Sequence, residues 1–285
     1  MAHGISGGEP LMIDRELIKR AIAEDLNGGV DITSMATLSA DSKVSAQFVA
    51  RNDGVIAGIN MAIATLAEVG VTDATALVKD GDLVKSGTVL IKVTGNARGI
   101  LLAERTALNF LGHLSGIATL TSQWVKTVAG TKTQIRDTRK TTPGMRALEK
   151  YAVRMGGGTN HRLSLSDAAL IKDNHIAAAG GVSQAFSKVR TAFPVAPIEI
   201  EVDNFDQLRE VLPLNPDLIL LDNMTPAQCR EAVAIVNSAT KLEASGGIGL
   251  ESAKAYAETG VDYIAIGALT HSAPVLDIGV DLRAE

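Results

Sequence analysis

Residues 198–245, IEIEVDNFDQLREVLPLNPDLILLDNMTPAQCREAVAIVNSATKLEAS, contain the pattern that decides the fold. Three short apolar runs within this stretch start about 20–25 residues apart, which is the length of a strand–helix unit in a parallel sheet. Between the second and third runs, Thr225-Pro226 supplies a helix-capping residue followed by a proline at the first turn. The stretch therefore predicts strands that alternate with helices.

The same alternation extends in both directions from this stretch. The strand candidates are Thr133–Asp137, Ala168–Lys172, Ile198–Val202, Leu218–Leu221, Lys241–Ala244 and Tyr263–Ile266. Polar residues or glycine follow each of them, and an α/β barrel gathers its ligand-binding groups at those strand ends. A doubly wound sheet, the alternative, would concentrate such groups at one switch point. The pattern favours a barrel with fewer strands than a complete one.

The first part of the chain has a less regular pattern. It predicts an amphipathic helix over Met12–Asp25, a strand over Val44–Arg51, a short helix over Asn60–Val69 and a turn at Asp80-Gly81. A long helix over Ala97–Ala129 then connects this part to the strand–helix units. No chemistry can be assigned to the small sheet predicted here.

Composition and charge exclude several classes of protein. The net charge is -5, whereas a nucleic-acid-binding protein usually carries a basic surplus. Cys229 is the one cysteine, so neither an intramolecular disulfide nor a cysteine-based zinc site can form. No apolar run is long enough for a membrane span, and residues 1–10 do not resemble a signal peptide. We therefore expect a cytosolic protein that binds neither nucleic acid nor a membrane.

Charged residues at the strand ends predict an anion-binding pocket. Arg139, Lys140, Arg162 and Lys172 would meet on one rim of a barrel, where only an anion-rich ligand would offset their repulsion. Glu201 and Asp222 end neighbouring strands, and such a pair can hold Mg²⁺ or accept hydrogen bonds from ribose hydroxyls. Each of these residues could instead be a solvated surface charge or part of a structural ion-pair network.

Small residues follow the last two strands, where many α/β barrels bind phosphate. They are Ser245-Gly246-Gly247 and Gly267-Ala268. Such residues let backbone N–H groups approach a phosphate, although a simple helix-entry turn would have the same composition. The histidines lack the spacing of a zinc site, and His161, beside Arg162, is the one expected in the pocket.

Several longer motifs resemble those of quinolinate phosphoribosyltransferases. They are Arg136–Gly144 (RDTRKTTPG), Gly156–Arg162 (GGGTNHR), Leu170–His175 (LIKDNH), Glu199–Val202 (EIEV), Leu220–Asn223 (LLDN), Glu243–Gly247 (EASGG) and, on the long helix, Ala103–Asn109 (AERTALN). The resemblance covers nearly the whole chain outside residues 1–10.

This resemblance implies an α/β fold with two domains and a dimer. An N-terminal α/β sandwich domain would comprise residues 1–115 together with the tail 276–285, and an incomplete, seven-stranded-like α/β barrel would comprise 116–275. The protein would be a homodimer in which Arg105 completes the active site of the neighbouring subunit.

The resemblance also implies roles for the site residues. The activity would be transfer of phosphoribosyl from phosphoribosyl pyrophosphate to quinolinate, with decarboxylation and with Mg²⁺ as cofactor. Lys140, Lys172, Glu201 and Asp222 would be catalytic, and the last two would also bind the metal. Substrate would be bound by Arg105, Thr138, Arg139, Lys140, His161, Arg162, Lys172, Glu201, Asp222, Ser245, Gly246, Gly247, Ile266, Gly267 and Ala268. A related phosphoribosyltransferase for another pyridine- or pyrimidine-type acid is the alternative within the enzymes, and a non-catalytic sugar-phosphate-binding protein is the alternative outside them.

Overall fold

The computed structural model describes residues 11–284. Residues 1–10, where the sequence predicts no signal peptide, lie outside the described residues. Across the described part of the chain, no helix combines the length and the apolar character that crossing a membrane requires.

From residue 11 onward, the first half of the chain forms short strands and four helices. In chain order these are α1 (Arg15–Leu26), α2 (Ile32–Thr37), β1 (Lys43–Ala50), β2 (Gly54–Val55), α3 (Ile59–Glu68), β3 (Asp73–Ala76), β4 (Leu83–Val84), β5 (Val89–Asn96) and α4 (Ala97–Thr127).

The second half alternates strands with helices, as its sequence predicts. The elements are β6 (Gln134–Arg136), α5 (Arg146–Met155), β7 (Ala169–Ile171), α6 (Asp173–Ala179), α7 (Val182–Ala192), β8 (Ile198–Val202), α8 (Phe205–Val211), the 3-10 turn Leu212–Leu214, β9 (Leu218–Asp222), α9 (Pro226–Val236), β10 (Lys241–Ser245), α10 (Leu250–Ala257), β11 (Tyr263–Ala265), α11 (Ala268–His271) and β12 (Ile278–Ala284).

The described residues divide into two compact units. One comprises residues 11–122, 147–157 and 272–284, and the other comprises 123–146 and 158–271. The domain limits expected from the sequence stay predictions, and they differ from this division mainly at α5, which groups with the first unit. The sequence of α5 does not show that it packs with the first unit, because its apolar residues indicate which face is buried but not which element covers that face.

The first unit is built on an antiparallel sheet with strand order β12-β1-β5-β3. Phe48 of β1 lies opposite Val280 on one side and Ile91 on the other, and its side chain is fully buried. Leu276 and Ile278, near the end of the chain, belong to the same hydrophobic core. A second pair joins β2 with β4, and β4 follows the turn at Asp80-Gly81 that the sequence predicts.

The second unit is an incomplete α/β barrel, which confirms the fold class expected from the sequence. Its six strands are all parallel, in the order β6-β11-β10-β9-β8-β7. Strands β7 to β11 are neighbours in chain order and β6 lies beside β11, so the circuit lacks a ladder only between β6 and β7. There, Thr159 makes an isolated parallel bridge with Arg136.

Local signals set the limits of these elements. Thr225 caps α9 with its side chain and Pro226 occupies the first turn, as the sequence predicts. The parallel register places the C-terminal ends of the strands together, with Ser245 opposite Asp222 and Glu201 opposite Leu220. This edge of the barrel carries the predicted pocket residues.

Candidate active site

A cavity of about 660 Å³ lies at the C-terminal ends of the parallel strands. The predicted site residues that line it are Thr138, Arg139, Lys140, His161, Arg162, Lys172, Glu201, Asp222, Ser245, Gly246, Gly247, Ile266, Gly267 and Ala268. Arg105 is the exception: it is exposed on α4, in the other unit. The barrel thus brings residues from all of its strands to one cavity.

Two arginines give the cavity a strongly cationic wall. Burial, and then the charge of Arg139, lower the pKa of Arg162, whereas the carboxylates Glu199 and Asp167 act in the opposite direction. Among the described residues, the buried Nε atoms of Arg139 and Arg162 have no hydrogen-bond partner. Buried donors of this kind are costly unless a ligand accepts from them. The wall is therefore suited to a carboxylate or phosphate ligand.

The loop that carries Arg162 is fixed by the protein around it. Nη1 of Arg162 donates to the carbonyl of Ala168 at 2.8 Å. Further along the loop, the carboxylate of Asp167 accepts from the backbone N–H groups of Leu163 and Ser164 at 2.7 and 2.9 Å. Arg162 is thereby placed before any ligand binds.

Two carboxylates, those of Glu201 and Asp222, also line the cavity. Burial raises the pKa of Glu201; Lys172, whose Nζ lies 3.5 Å from the Glu201 carboxylate, opposes this effect and Asp222 adds to it. Nδ2 of Asn223 donates to Asp222 at 2.7 Å. Two hard oxygen donors facing a cavity fit Mg²⁺, which usually binds through one or two carboxylates together with substrate phosphates. Glu201 and Asp222 would hold the metal in that way.

The glycine turn after β10 requires residues without a side chain. Gly246 and Gly247 have φ values of +96° and +61°. A Cβ on Gly246 would overlap the side-chain oxygen of Asn223, and a Cβ on Gly267 would lie 3.0 Å from Cδ of Lys140. Both glycine sites therefore keep the backbone accessible from the cavity, as phosphate binding requires.

Sequence reasoning missed a polar layer beneath the cavity. Arg136, Glu199 and Glu243 point into the barrel, and neither glutamate is more than 6% exposed. Burial is the largest cause that raises the pKa of each glutamate, in both cases to about 7. The signal was present in the alternation of β8: if Glu201 faces the barrel interior, Glu199 must face it too.

His161 lines the cavity, but the protein engages both of its ring nitrogens. Nδ1 accepts from the backbone N–H of Arg162 at 2.7 Å, and Nε2 lies 2.8 Å from a carboxylate oxygen of Glu199. The structure therefore places His161 in the site as expected, with no ring nitrogen directed at a ligand.

Comparison with known proteins agrees with this geometry. Residues 31–115 match the profile of the quinolinate phosphoribosyl transferase N-terminal domain, and residues 117–281 match that of the C-terminal domain. The nicotinate-nucleotide pyrophosphorylase (carboxylating) of Mycobacterium leprae is 54% identical over 94% of this chain and 96% of its own length. A probable enzyme of the same name from Bacillus subtilis is 42% identical over 94% and 93%.

A solved structure shows the same fold. The crystal structure of nicotinate-nucleotide pyrophosphorylase from Ehrlichia chaffeensis superposes with a TM-score of 0.89 at 41% identity and covers 95% of this chain and 99% of that one. The cationic wall, the facing carboxylates and the glycine turns lie in the domain that the second profile matches. The chain belongs to the quinolinate phosphoribosyltransferase family.

Proposed function

We propose that the protein transfers phosphoribosyl from phosphoribosyl pyrophosphate to quinolinate in NAD biosynthesis, with loss of one carboxylate as CO₂. The products are nicotinate mononucleotide and pyrophosphate. The observation that carries this proposal is the pair of neighbouring arginines whose buried Nε atoms lack a partner among the described residues. Quinolinate has two carboxylates on adjacent carbons, and planar guanidinium groups bind carboxylates through paired hydrogen bonds.

The arginines form the quinolinate subsite. Arg139 and Arg162 of one subunit bind the quinolinate dianion. In a homodimer, the partner subunit's Arg105 completes this set of three arginines, which we call the clamp. The exposure of Arg105 on α4 supports this assignment, because an exposed cation is available to a second chain. His161 supports Arg162 and makes no hydrogen bond to the carboxylates of quinolinate.

The other wall binds phosphoribosyl pyrophosphate. Glu201 and Asp222 hold the ribose hydroxyls and Mg²⁺, while Lys140 and Lys172 neutralise the pyrophosphate and Thr138 contributes to the same wall. Backbone N–H groups of the small residues after β10 and β11 bind the 5′-phosphate. These residues are Gly246, Gly247, Gly267 and Ala268, and Ser245 adds a side-chain hydroxyl. Ile266 lines the same wall, while its N–H donates to the carbonyl of Arg136 at 2.8 Å.

The reaction follows from charge and position. Bound Mg²⁺ supplies positive charge that stabilises the leaving pyrophosphate. As the C1–O bond breaks, the ring nitrogen of quinolinate attacks C1 of the ribose, and no general base is needed because this nitrogen carries no proton. The resulting pyridinium stabilises the carbanion that forms at C2 when CO₂ leaves, and this carbon then takes one proton from solvent. The protein contributes orientation and preorganised charge.

An assay with quinolinate, phosphoribosyl pyrophosphate and Mg²⁺ tests the proposal. We expect quinolinate to disappear with release of one equivalent of CO₂, and nicotinate to give no nucleotide because it lacks the second carboxylate. Turnover of nicotinate would support the alternative, a related phosphoribosyltransferase for another acid. Binding of phosphoribosyl pyrophosphate without turnover of either acid would contradict the proposal.

The cytosolic location stays a prediction from the sequence.

A further inference from the structure

Four polar residues meet in the barrel interior at the base of the cavity, where His161 and Glu243 form part of its lining. The proposed chemistry uses none of them as a substrate ligand. They come from three strands and one loop: Arg136 (β6), His161 (the loop after α5), Glu199 (β8) and Glu243 (β10). We call them the floor array. Charged groups in a barrel interior are costly unless they are paired, so their retention calls for a physical reason.

Arg136 and Glu243 form the rigid part of the floor array. Nη1 of Arg136 donates to one carboxylate oxygen of Glu243 at 2.8 Å, and Glu243 is fully buried. The guanidinium group also lies over the ring of Tyr263, 4.3 Å from its centroid, and its Nε donates to the carbonyl of Asn160 at 3.4 Å. These contacts fix the position of the Glu243 carboxylate.

Glu243 in turn lies beside His161. Its second carboxylate oxygen is 3.5 Å from Nε2 of His161, which is 2.8 Å from Glu199. Because Nδ1 of the ring accepts from the Arg162 N–H, a neutral His161 must carry its proton on Nε2, facing the two carboxylates.

A metal ion is the competing explanation for the floor array. His161, Glu199 and Glu243 have ligand atoms within 4.8 Å of one another. A metal on Nε2 would require the ring proton on Nδ1, where it would point at the Arg162 N–H and abolish that hydrogen bond. Arg136 also already holds one oxygen of Glu243. The contacts therefore favour a charge-paired array over a metal site, with one oxygen of Glu199 and one of Glu243 accepting no hydrogen bond from the described residues.

We propose that Glu243, held by Arg136, is a positioning residue that fixes His161 and, through the His161–Arg162 contact, sets the place of Arg162 in the quinolinate subsite. This inference rests on the proposed function, because it names what orients one arginine of the clamp. Asp137 strengthens the connection, since its buried carboxylate accepts from the backbone N–H of His161 at 2.8 Å. The segment is thus anchored through both its backbone and its ring.

The clamp needs such an anchor because the guanidinium groups of Arg139 and Arg162 repel each other. Arg139 disfavours the charged form of Arg162, and Glu199 and Asp167 are the carboxylates that favour it. Without a fixed floor, Arg162 would move away from Arg139 until a ligand arrived. Quinolinate binding would then have to order the loop that carries Arg162, and this entropic cost would lower the affinity for quinolinate specifically.

The test is Glu243→Gln, with the KM of each substrate measured separately. Glutamine keeps the volume and can still accept from Arg136, but an uncharged NH₂ group then replaces the carboxylate oxygen that lies 3.5 Å from Nε2 of His161. The charge that favours the present orientation of the ring is thereby lost. We expect the KM for quinolinate to rise about tenfold or more, as small misplacements of a binding group do. The KM for phosphoribosyl pyrophosphate should stay within about twofold, because the Glu243 side chain contacts Arg136 and His161, neither of which is a proposed ligand of that substrate.

Two further variants keep the test decisive. Thr133→Ala is the matched control: this buried hydroxyl donates to the carbonyls of Val261 and Ala257 at 2.7 and 3.2 Å, so its loss should lower stability and leave both KM values unchanged. Arg136→Lys tests the same connection from the other side and should also raise the KM for quinolinate, even if Glu243→Gln does not fold.

An unchanged KM for quinolinate in the folded variants, or a parallel rise in both KM values, would overturn the proposal. A wild-type enzyme that did not use quinolinate would instead contradict the proposed function.

Discussion

Arg139 and Arg162 show how a like-charge pair can be stable in a protein. Each guanidinium lowers the stability of the other, yet local hydrogen bonds and nearby carboxylates hold Arg162 in place. An anion that binds between the two guanidinium groups offsets their repulsion. The groups are already in position, so little binding free energy is lost in ordering them. The pair is therefore a feature of the site and would be a poor choice for stability alone.

Arg162→Ala tests this reading at a single residue. Loss of one partner of a charge-assisted contact costs about 2–5 kcal/mol, so kcat/KM for quinolinate should fall by about 30-fold or more. Arg230→Ala, on the exposed face of α9, is the control and should leave kcat/KM unchanged. Steady-state kinetics measures both, and an unchanged value for Arg162→Ala would remove this residue from the site.

Gly246→Ala tests the proposed phosphate site. The new Cβ would overlap the side chain of Asn223 at a φ of +96°, so the turn must shift and the KM for phosphoribosyl pyrophosphate should rise about tenfold. Gly130→Ala is matched in backbone conformation, with a φ of +86° and no heavy atom within 4 Å of the new Cβ. It should lower stability by about 1–2 kcal/mol without changing that KM. Equal KM values in the two variants would argue against a phosphate-binding role for this turn.

At the scale of elements, the parallel strands position most of the site residues. Each strand contributes a residue at its C-terminal end, and the shared register brings those ends together. Strand alternation also determines what lies beneath them, because Glu199 and Glu201 point to the same side of β8. The alternation of β8 that directs Glu201 toward the cavity therefore also directs Glu199 into the floor array.

The long helix α4 depends on two glycines for its contact with residues 274–276. Leu276 donates its backbone N–H to the carbonyl of Gly112 at 3.0 Å, and a Cβ on Gly116 would overlap the carbonyl of Pro274. Gly116→Ala should therefore destabilise the protein by about 1–3 kcal/mol, although alanine favours a helix. Urea unfolding measures this loss, with Gln123→Ala, at an exposed position of α4, as a control that should not be destabilised. Equal stability of wild type and Gly116→Ala would show that the tail does not lie against the helix.

At the scale of the whole molecule, the proposed dimer makes a quantitative prediction. If the partner subunit's Arg105 completes each site, then Arg105→Ala and Arg162→Ala chains fail for complementary reasons. After denaturation and refolding of an equal mixture, half of the dimers are mixed and each has one intact site, so about one quarter of the wild-type activity should return. Each variant refolded alone should stay inactive, and a mixture that also stayed inactive would place Arg105 in its own subunit's site.

Much of this could be predicted from the sequence, because the signals are local. The six barrel strands lie within one or two residues of their predicted limits, since short apolar runs followed by polar residues mark a buried parallel strand directly. The cations and glycines after those strands could be assigned to one pocket, because parallel strands present their C-terminal ends at one edge. The family follows from the motifs that those residues form.

The tertiary structure alone decided the contacts between groups far apart in the chain. The pairing of β12 with β1, the grouping of α5, and the contact of Glu243 with Arg136 and His161 each join residues separated by tens or hundreds of positions. The alternation of β8 places Glu199 on the same face as Glu201, but it does not show which distant side chains will contact that face. The sequence thus determined which chemical groups surround the cavity, and the folded chain determined which of them support the others.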